Sequence, residues 1–295
     1  MAKYKGKNAE VARLLQTLVP VWQKCRSTRQ LWRKTIKTLK GIRSFPAQVL
    51  ANQMILVYRM LSGKNIVELK RLFGELRRHI IAYCREWQIP VDVSWRQKSF
   101  LSMMMKFFLF ISKGKPLSTL NDVFGCRFVV GDENTSEIDA VIWCYVVMNE
   151  ILGFCAYKLN ATLILAETPN GATLSKEDAR KKGFYVPPSS LILEGCRNNV
   201  KDYIRNVKVS GYRALHAAVR FPSGLVIEFQ IRSFQMHEFA EKDSMANHDA
   251  YKEHRYGMPL VPEGLNLEEF HVRGFNYKKG IDKAGILHSK GNFGI

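Results

Sequence analysis

The stretch Asp202–Arg232, DYIRNVKVSGYRALHAAVRFPSGLVIEFQIR, decides how the rest of the chain is read. It holds two runs with strand character, Tyr212–Arg220 and Leu225–Ile231, and Ser223-Gly224 between them predicts a tight hairpin. In the second run Ile227, Phe229 and Ile231 alternate with Glu228, Gln230 and Arg232. Successive strand residues point to opposite faces, so the first three share an apolar face and the second three a polar one. A carboxylate, an amide and a guanidinium in line are an unusual sheet surface, where Thr, Lys or Ser are commoner. Just upstream, Lys208, Gly211 and Tyr212 make a basic, glycine-containing turn ending in an aromatic ring. Such a turn can approach a phosphate closely and offer a flat face to a base; its plainer reading is a loop whose tyrosine caps the core.

On the C-terminal side, Met236–Arg255 is helical by pattern. His237 and Glu241 share a face there while His248 falls on another, which argues against a metal cluster. Pro259–Ile295 is weakly periodic and reads as a loosely packed tail or a docking segment. On the N-terminal side, Ala166–Asn199 is polar, with Pro169-Asn170-Gly171, Pro187-Pro188 and a short basic helix at Lys176–Lys182. Phe154–Leu165 reads as strand. Ser136–Ile151 reads as an amphipathic helix, with Ile138, Val141, Ile142, Tyr145 and Val146 at helical spacing. Leu120–Val130, LNDVFGCRFVV, is a buried-type strand entered by Asn121-Asp122 and carrying Arg127, which either pairs with Asp122 or reaches a phosphate. In Val91–Phe110, VDVSWRQKSFLSMMMKFFLF, helical geometry puts Lys98, Ser102 and Lys106 on one face with Arg96 beside them. Three cations and a hydroxyl at a helix start suit a triphosphate. Met103–Met105 and Phe107–Phe108 read as core.

The first third of the chain differs in charge. Of a formal net charge of +19, residues 1–90 contribute 19 Lys and Arg against 4 acidic residues. Helices are expected over residues 9–40, broken at Pro20, and over Ala47–Leu61 and Asn65–Trp87, with a joint at Phe45-Pro46. Cations interleaved with Trp22, Leu31, Trp32 and Ile36 read as an RNA- or polyphosphate-facing surface in residues 1–43, as a solvated helical face, or as a dock for an acidic protein. Six scattered cysteines without a C-x-x-C pair predict neither a zinc site nor a disulfide framework and fit a reducing cytosol. No signal peptide is read at the start, and the longest apolar run, Met103–Ile111, is interrupted by Lys106, so no membrane span is expected.

These segments resemble the synthetase domain of the RelA/SpoT-like (p)ppGpp synthetase family, whose pattern reads DYI, PK-x-NGY-x-SLH and E-x-QIRT. Here the matching residues are Asp202-Tyr203-Ile204, Lys208, Gly211-Tyr212, Leu215-His216 and Glu228-Phe229-Gln230-Ile231-Arg232, with Val207 and Ser210 in place of the proline and asparagine. Arg96, Lys98, Ser102 and Lys106 match the family's ATP-holding R-x-K, S, K residues. Asp122, Gly125 and Arg127 match its D-x-x-G-x-R, and Met236, His237, Ala240, Glu241, His248, Tyr251 and Lys252 match its MH-x-x-AE … H … YK tail, with one extra residue before the histidine. The resemblance implies an α+β fold, a mixed β-sheet flanked by helices of the nucleotidyltransferase type. The synthetase domain would span 91–255, after a basic helical region at 1–90 and before a tail at 256–295.

The chemistry so implied is pyrophosphoryl transfer: the 3′-hydroxyl of an acceptor nucleotide attacks the β-phosphorus of ATP, and AMP leaves. The resemblance gives Asp122 to Mg²⁺ and Glu228 to the metal or to the hydroxyl proton as general base. Arg96, Lys98, Ser102 and Lys106 would grip ATP, with Arg127 beside them. Lys208 would hold acceptor phosphate and Tyr212 stack on the acceptor base, while His216, Gln230 and Arg232 would contact phosphate or support those that do. GDP or GTP as acceptor would yield the alarmone (p)ppGpp. Ser210, shorter than asparagine, and the basic N-terminal helices suit tRNA instead, and some toxic relatives pyrophosphorylate the tRNA 3′ end. An inactive nucleotide- or RNA-binding relative is a third reading, against which Asp122 and Glu228 stand. Partners so implied are ATP, the acceptor, and an antitoxin or regulatory protein. No His and Asp cluster with metal spacing precedes Arg96, so synthesis without breakdown is expected.

Overall fold

Ile227, Phe229 and Ile231 do share one buried face, and the sheet is organised around the strand that carries them. The computed structural model describes residues 11–242 apart from 12, 19, 23, 26, 61–63, 98–99, 114–122, 167–171 and 190. Its helices are α1 (Thr28–Gly41), α2 (Phe45–Met60), α3 (Lys64–Glu86), α4 (Phe100–Lys113), α5 (Glu137–Tyr157), α6 (Lys176–Lys181) and α7 (Phe234–Lys242). Its strands are β1 (Val91–Gln97), β2 (Phe124–Val130), β3 (Thr162–Leu163), β4 (Val200–Asp202), β5 (Leu215–Arg220) and β6 (Val226–Ser233). The sheet runs β1-β2-β6-β5-β3, with β4 also paired to β5. β2 and β6 are parallel and the other pairs antiparallel, so the fold is α+β with a mixed six-stranded sheet.

The hairpin is where the sequence puts it. Phe221 and Leu225 close it through a backbone hydrogen bond of 2.8 Å, and Gly224 takes a φ of +82°, a conformation glycine reaches without a Cβ penalty. Elsewhere the elements shift. Arg96, expected with Lys98, Ser102 and Lys106 at a helix start, instead belongs to strand β1, and α4 begins only at Phe100. Val91, Val93 and Trp95 alternate with Asp92, Ser94 and Arg96, a period of two that outweighs the helical spacing of the downstream cations. Arg96 therefore sits on a strand, and Lys98 lies outside the described residues.

Helix α5 runs six residues beyond its expected end and takes the first part of the expected Phe154–Leu165 strand, leaving only the two-residue β3. Ser136 caps it by accepting from the Asp139 amide. Ile138 and Ile142, expected on its apolar face, are exposed, while Val141, Cys144, Tyr145, Val147, Met148, Ile151, Leu152 and Cys155 are buried. Burial on most of the circumference erases the one-sided pattern by which an amphipathic helix is recognised. This helix is long and apolar enough to cross a membrane, yet half of its apolar window is buried inside the fold.

The N-terminal helices join the same core. Pro20 and the two residues after it are helical; the break falls later, at Lys24 and Cys25, and Ser27 then caps α1 by accepting from the Gln30 amide. Trp22 and Trp32 pack edge-on against Phe100 at 5.7 and 5.2 Å. The indole of Trp22 donates to Thr35 Oγ1 at 2.9 Å, and that hydroxyl donates to the Leu31 carbonyl at 2.6 Å. Both side chains are buried, so removing the hydroxyl strands an indole N–H in a dry interior. Thr35→Val is expected to cost about 1–3 kcal/mol in urea unfolding although its volume is conserved; an unchanged midpoint would contradict this account of how the N-terminal layer is attached.

Candidate active site

The polar face of the sheet is built row by row from strand register. Ser94, Arg127, Gln230, His216 and Lys201 are consecutive cross-strand partners on β1, β2, β6, β5 and β4. The next row is Arg96, Gly125, Glu228 and Ala218. Side chains of one row share a face, so strand pairing alone gathers residues that lie more than a hundred positions apart in sequence. Between Arg96 and Glu228 the row holds only a glycine, which leaves the sheet surface there without a side chain.

The hydrogen bonds in the first row have one direction, and chemistry fixes it. A guanidinium can only donate, so Arg127 Nε donates to Gln230 Oε1 at 3.1 Å and sets which end of that amide is oxygen. Gln230 Nε2 then donates to Tyr212 Oη at 2.8 Å, and Arg232 Nη2 donates to the same oxygen at 3.0 Å. With two bonds accepted, the Tyr212 hydroxyl gives its proton to His216 Nε2, 2.7 Å away. His216 Nε2 is thus an acceptor, and its proton resides on Nδ1, which faces Glu228 Oε1 at 3.4 Å. The chain runs Arg127, Gln230, Tyr212, His216 and ends on a carboxylate. Burial holds the His216 pKa below the ordinary imidazole value, though Glu228 pulls it up, which agrees with a neutral ring. Burial likewise raises the Tyr212 hydroxyl, against the lowering effect of Arg232.

Two segments flank this face. The turn Lys208–Gly211 closes with a 2.7 Å bond from the Gly211 amide to the Lys208 carbonyl, and Gly211 has a φ of +79°. A Cβ there would lie 2.8 Å from the Phe239 ring, so both conformation and space require glycine. The turn holds Lys208 Nζ over the rings of Tyr203, 4.3 Å from its centroid, and Tyr212, at 5.0 Å, and the Arg232 guanidinium also lies over Tyr212 at 4.9 Å. From the long polar connection, Leu174 N bonds to Val207 O and Val209 N to Ala172 O, so that segment borders the Lys208 turn. Helix α7 brings Glu241 to 3.0 Å from Arg127 and 3.9 Å from Arg232. A half-exposed carboxylate thus stands over two arginines that face a site expected to hold phosphate.

The structure brings together Arg127, Lys208, Tyr212, His216, Glu228, Gln230 and Arg232. Asp122 and Lys98 lie outside the described residues; Arg96 is placed by its strand, Ser102 by α4, and Lys106 Nζ lies 5.8 Å from the Phe110 ring centroid. Arg127, left between Asp122 and a phosphate by the sequence, is bound to Gln230 and Glu241. Met236–Arg255, expected as one helix, is described only as far as Lys242. Sequence reasoning assigned no site role to Tyr203, whose ring meets His216 edge-on at 5.5 Å, or to Glu241, although both match the family pattern. The i,i+4 spacing of His237 and Glu241 on the helix after β6 was the available signal. Asp202 is a clamp: it accepts from the buried Tyr145 hydroxyl at 2.9 Å and from the Ile204 and Arg205 amides.

Among the described residues no group of three His, Cys, Asp or Glu forms a metal cluster. The Glu228 carboxylate, one-third exposed, is the oxygen donor in the second row and has the chemistry a hard cation takes; His216 Nδ1 carries a proton and cannot be a ligand.

Residues 192–256 match the family described as the region found in RelA / SpoT proteins. The match is to a region of RelA and SpoT proteins, not to the whole chain. It takes in β4, β5, β6 and α7, and so most of the polar face. The bifunctional (p)ppGpp synthase/hydrolase SpoT of Escherichia coli K12 is 26% identical over 185 residues, 63% of this chain and 19% of that protein. The GTP pyrophosphokinase of the same organism is 48% identical over 52 residues, 18% of this chain and 7% of that one. The small alarmone synthetase 1 of Bacillus subtilis aligns at a TM-score of 0.37 with 20% identity, over 68% of this chain and 80% of that one. The chain spans about one fifth of the length of SpoT.

The direction of the hydrogen-bond chain is open to measurement. Imidazole ¹⁵N shifts are expected to show His216 neutral at pH 7 and protonated on Nδ1, with the Nε2 acceptor shift weakened in Tyr212→Phe, where Gln230 Nε2 at 3.2 Å remains as the other donor. An Nε2-protonated ring would reverse the chain.

Proposed function

We propose that the chain is an ATP-dependent 3′-pyrophosphotransferase acting on a guanine nucleotide, GDP or GTP, and yielding (p)ppGpp. The observation that carries this reading is the one-way chain from Arg127 to Glu228, next to a row in which only Gly125 separates Glu228 from Arg96. His216 Nδ1 presents its proton to the Glu228 carboxylate, and a second proton donor delivered to that carboxylate can pass its proton on. The acceptor's 3′-hydroxyl is that donor. Its oxygen forms the new bond to the β-phosphorus of ATP, the β-phosphorus–oxygen bond to the α-phosphate breaks, AMP leaves with that electron pair, and the proton passes to Glu228.

The surrounding cations have the matching task. Arg96, Lys98, Ser102 and Lys106 hold the ATP phosphates, and Lys208, Arg127 and Arg232 hold those of the acceptor, with the Tyr212 ring against its base. Glu228 and Asp122 would hold magnesium, which would supply positive charge to offset that developing on the phosphoryl oxygens. Substrate phosphate at Arg127 and Arg232 takes over from the Glu241 carboxylate, so binding exchanges one anion for another instead of bringing arginines together unpaired.

The test is transfer from γ-labelled ATP with GDP, GTP, ADP and bulk tRNA offered in parallel. Label is expected on GDP or GTP, and Glu228→Gln is expected to lower the rate about 10²–10⁴-fold with an unchanged unfolding midpoint. Label on tRNA alone would move the acceptor to RNA, the alternative that the exposed cations of α1 favour. An active Glu228→Gln enzyme would remove the general-base assignment.

A further inference from the structure

The outward face of α1 is not used by the chemistry above. From Val11 to Val67 the sequence has eleven Lys and Arg and no Asp or Glu. In the fold, Leu31, Trp32, Thr35 and Leu39 face the core, while Arg29, Arg33, Lys34, Lys37 and Lys40 are exposed, as is Arg43 just beyond the helix. Arg29, Arg33, Lys37 and Lys40 follow at i, i+4, i+8 and i+11, a single row about 17 Å long. Helix α3 shows the ordinary arrangement: Arg71 is held by Glu68 and Glu75 on its own helix. On α1 like charges stand at i,i+4 with no acidic residue nearby in the chain, a spacing that weakens a helix.

Three partners would offset such a row, and the structure favours one. A membrane surface needs an apolar face beside the cations, and that face of α1 is buried in the core. A protein interface is built around apolar and aromatic anchors. Trp22 and Trp32, which lie among these cations in sequence, are both buried; Phe45, 81% exposed, is the aromatic that follows the row. A nucleic-acid backbone asks only for spaced cations, and a lone exposed ring beside them suits an unpaired base. We propose that this face of α1, ending at Arg43 and Phe45, binds RNA through its phosphate backbone without reading sequence. The proposal does not depend on which acceptor the transfer reaction uses and is tested without turnover.

The experiment is fluorescence anisotropy of the full chain with two labelled single-stranded RNAs of unrelated sequence, titrated between about 50 and 200 mM salt. Equal affinity for both is expected, with a steep fall as salt rises. The triple variant R29E/R33E/K37E should bind at least about tenfold more weakly and lose roughly two from the slope of log K against log salt, at about 0.7 per phosphate contact. K70E/R78E/R85E on α3 makes the same change in net charge and should bind like the parent chain. R29Q/R33Q/K37Q keeps the test valid if charge reversal unfolds α1. Equal losses in the α1 and α3 variants would reduce the effect to net charge and overturn the proposal, as would an α1 triple with unchanged affinity and slope. Poly-glutamate displacing RNA at equal charge concentration would overturn it in favour of an acidic protein.

Discussion

A guanidinium cannot accept a hydrogen bond, and from that restriction at Arg127 the polarity of the whole polar face follows. Arg127 fixes the Gln230 amide, the amide fixes Tyr212, Tyr212 fixes the His216 tautomer, and the proton on His216 is directed at Glu228. Each member belongs to a different strand or turn except Gln230 and Glu228, which share β6. The order of donors is therefore a property of the assembled sheet, and no isolated hairpin carries it. A buried polar network of this kind has value only when every link is made, because a half-made one leaves polar groups stranded in a dry interior.

The sheet is what makes the links. Parallel pairing of β2 with β6 sets Arg127 opposite Gln230 and Gly125 opposite Glu228, while antiparallel β5 sets His216 on the far side of Gln230. A slip of one residue in any of these pairings would turn the functional side chains into the core and the apolar ones out. The same contacts that bury Phe128, Phe229 and Ile231 beneath the sheet thus hold the chemistry above it in register. Stability and function draw on one set of strand pairings.

Much of this was legible in the chain itself. The alternation in β6, the Ser223-Gly224 hairpin and the glycine turn before Tyr212 are local signals, and each appears where its residues predict. β1 was equally legible in Val91, Val93 and Trp95, but the four-residue spacing of Lys98, Ser102 and Lys106 suggested a helix that starts too early. The length of α5 could not be read, since a helix buried nearly all round has no polar face to mark its limits. Nor could the pairing of β2 with β6, about a hundred residues apart, or the approach of Glu241 and Tyr203 to the site. Those depend on tertiary contacts that no window of sequence contains.

The N-terminal helices extend the same logic, with Trp22 and Trp32 gripping Phe100 at the head of α4, the helix that bears Ser102 and Lys106. What they share with the sheet is one continuous core. The central claim is that the end of the hydrogen-bond chain at Glu228 is where an acceptor hydroxyl meets ATP, and a crystal structure with GDP and a non-hydrolysable ATP analogue tests it most directly. The account requires the 3′ oxygen of GDP within about 2.6–3.2 Å of the Glu228 carboxylate, with the base against Tyr212. A nucleotide bound away from this face, or seated on it with Glu228 out of reach of the 3′ oxygen, would contradict it.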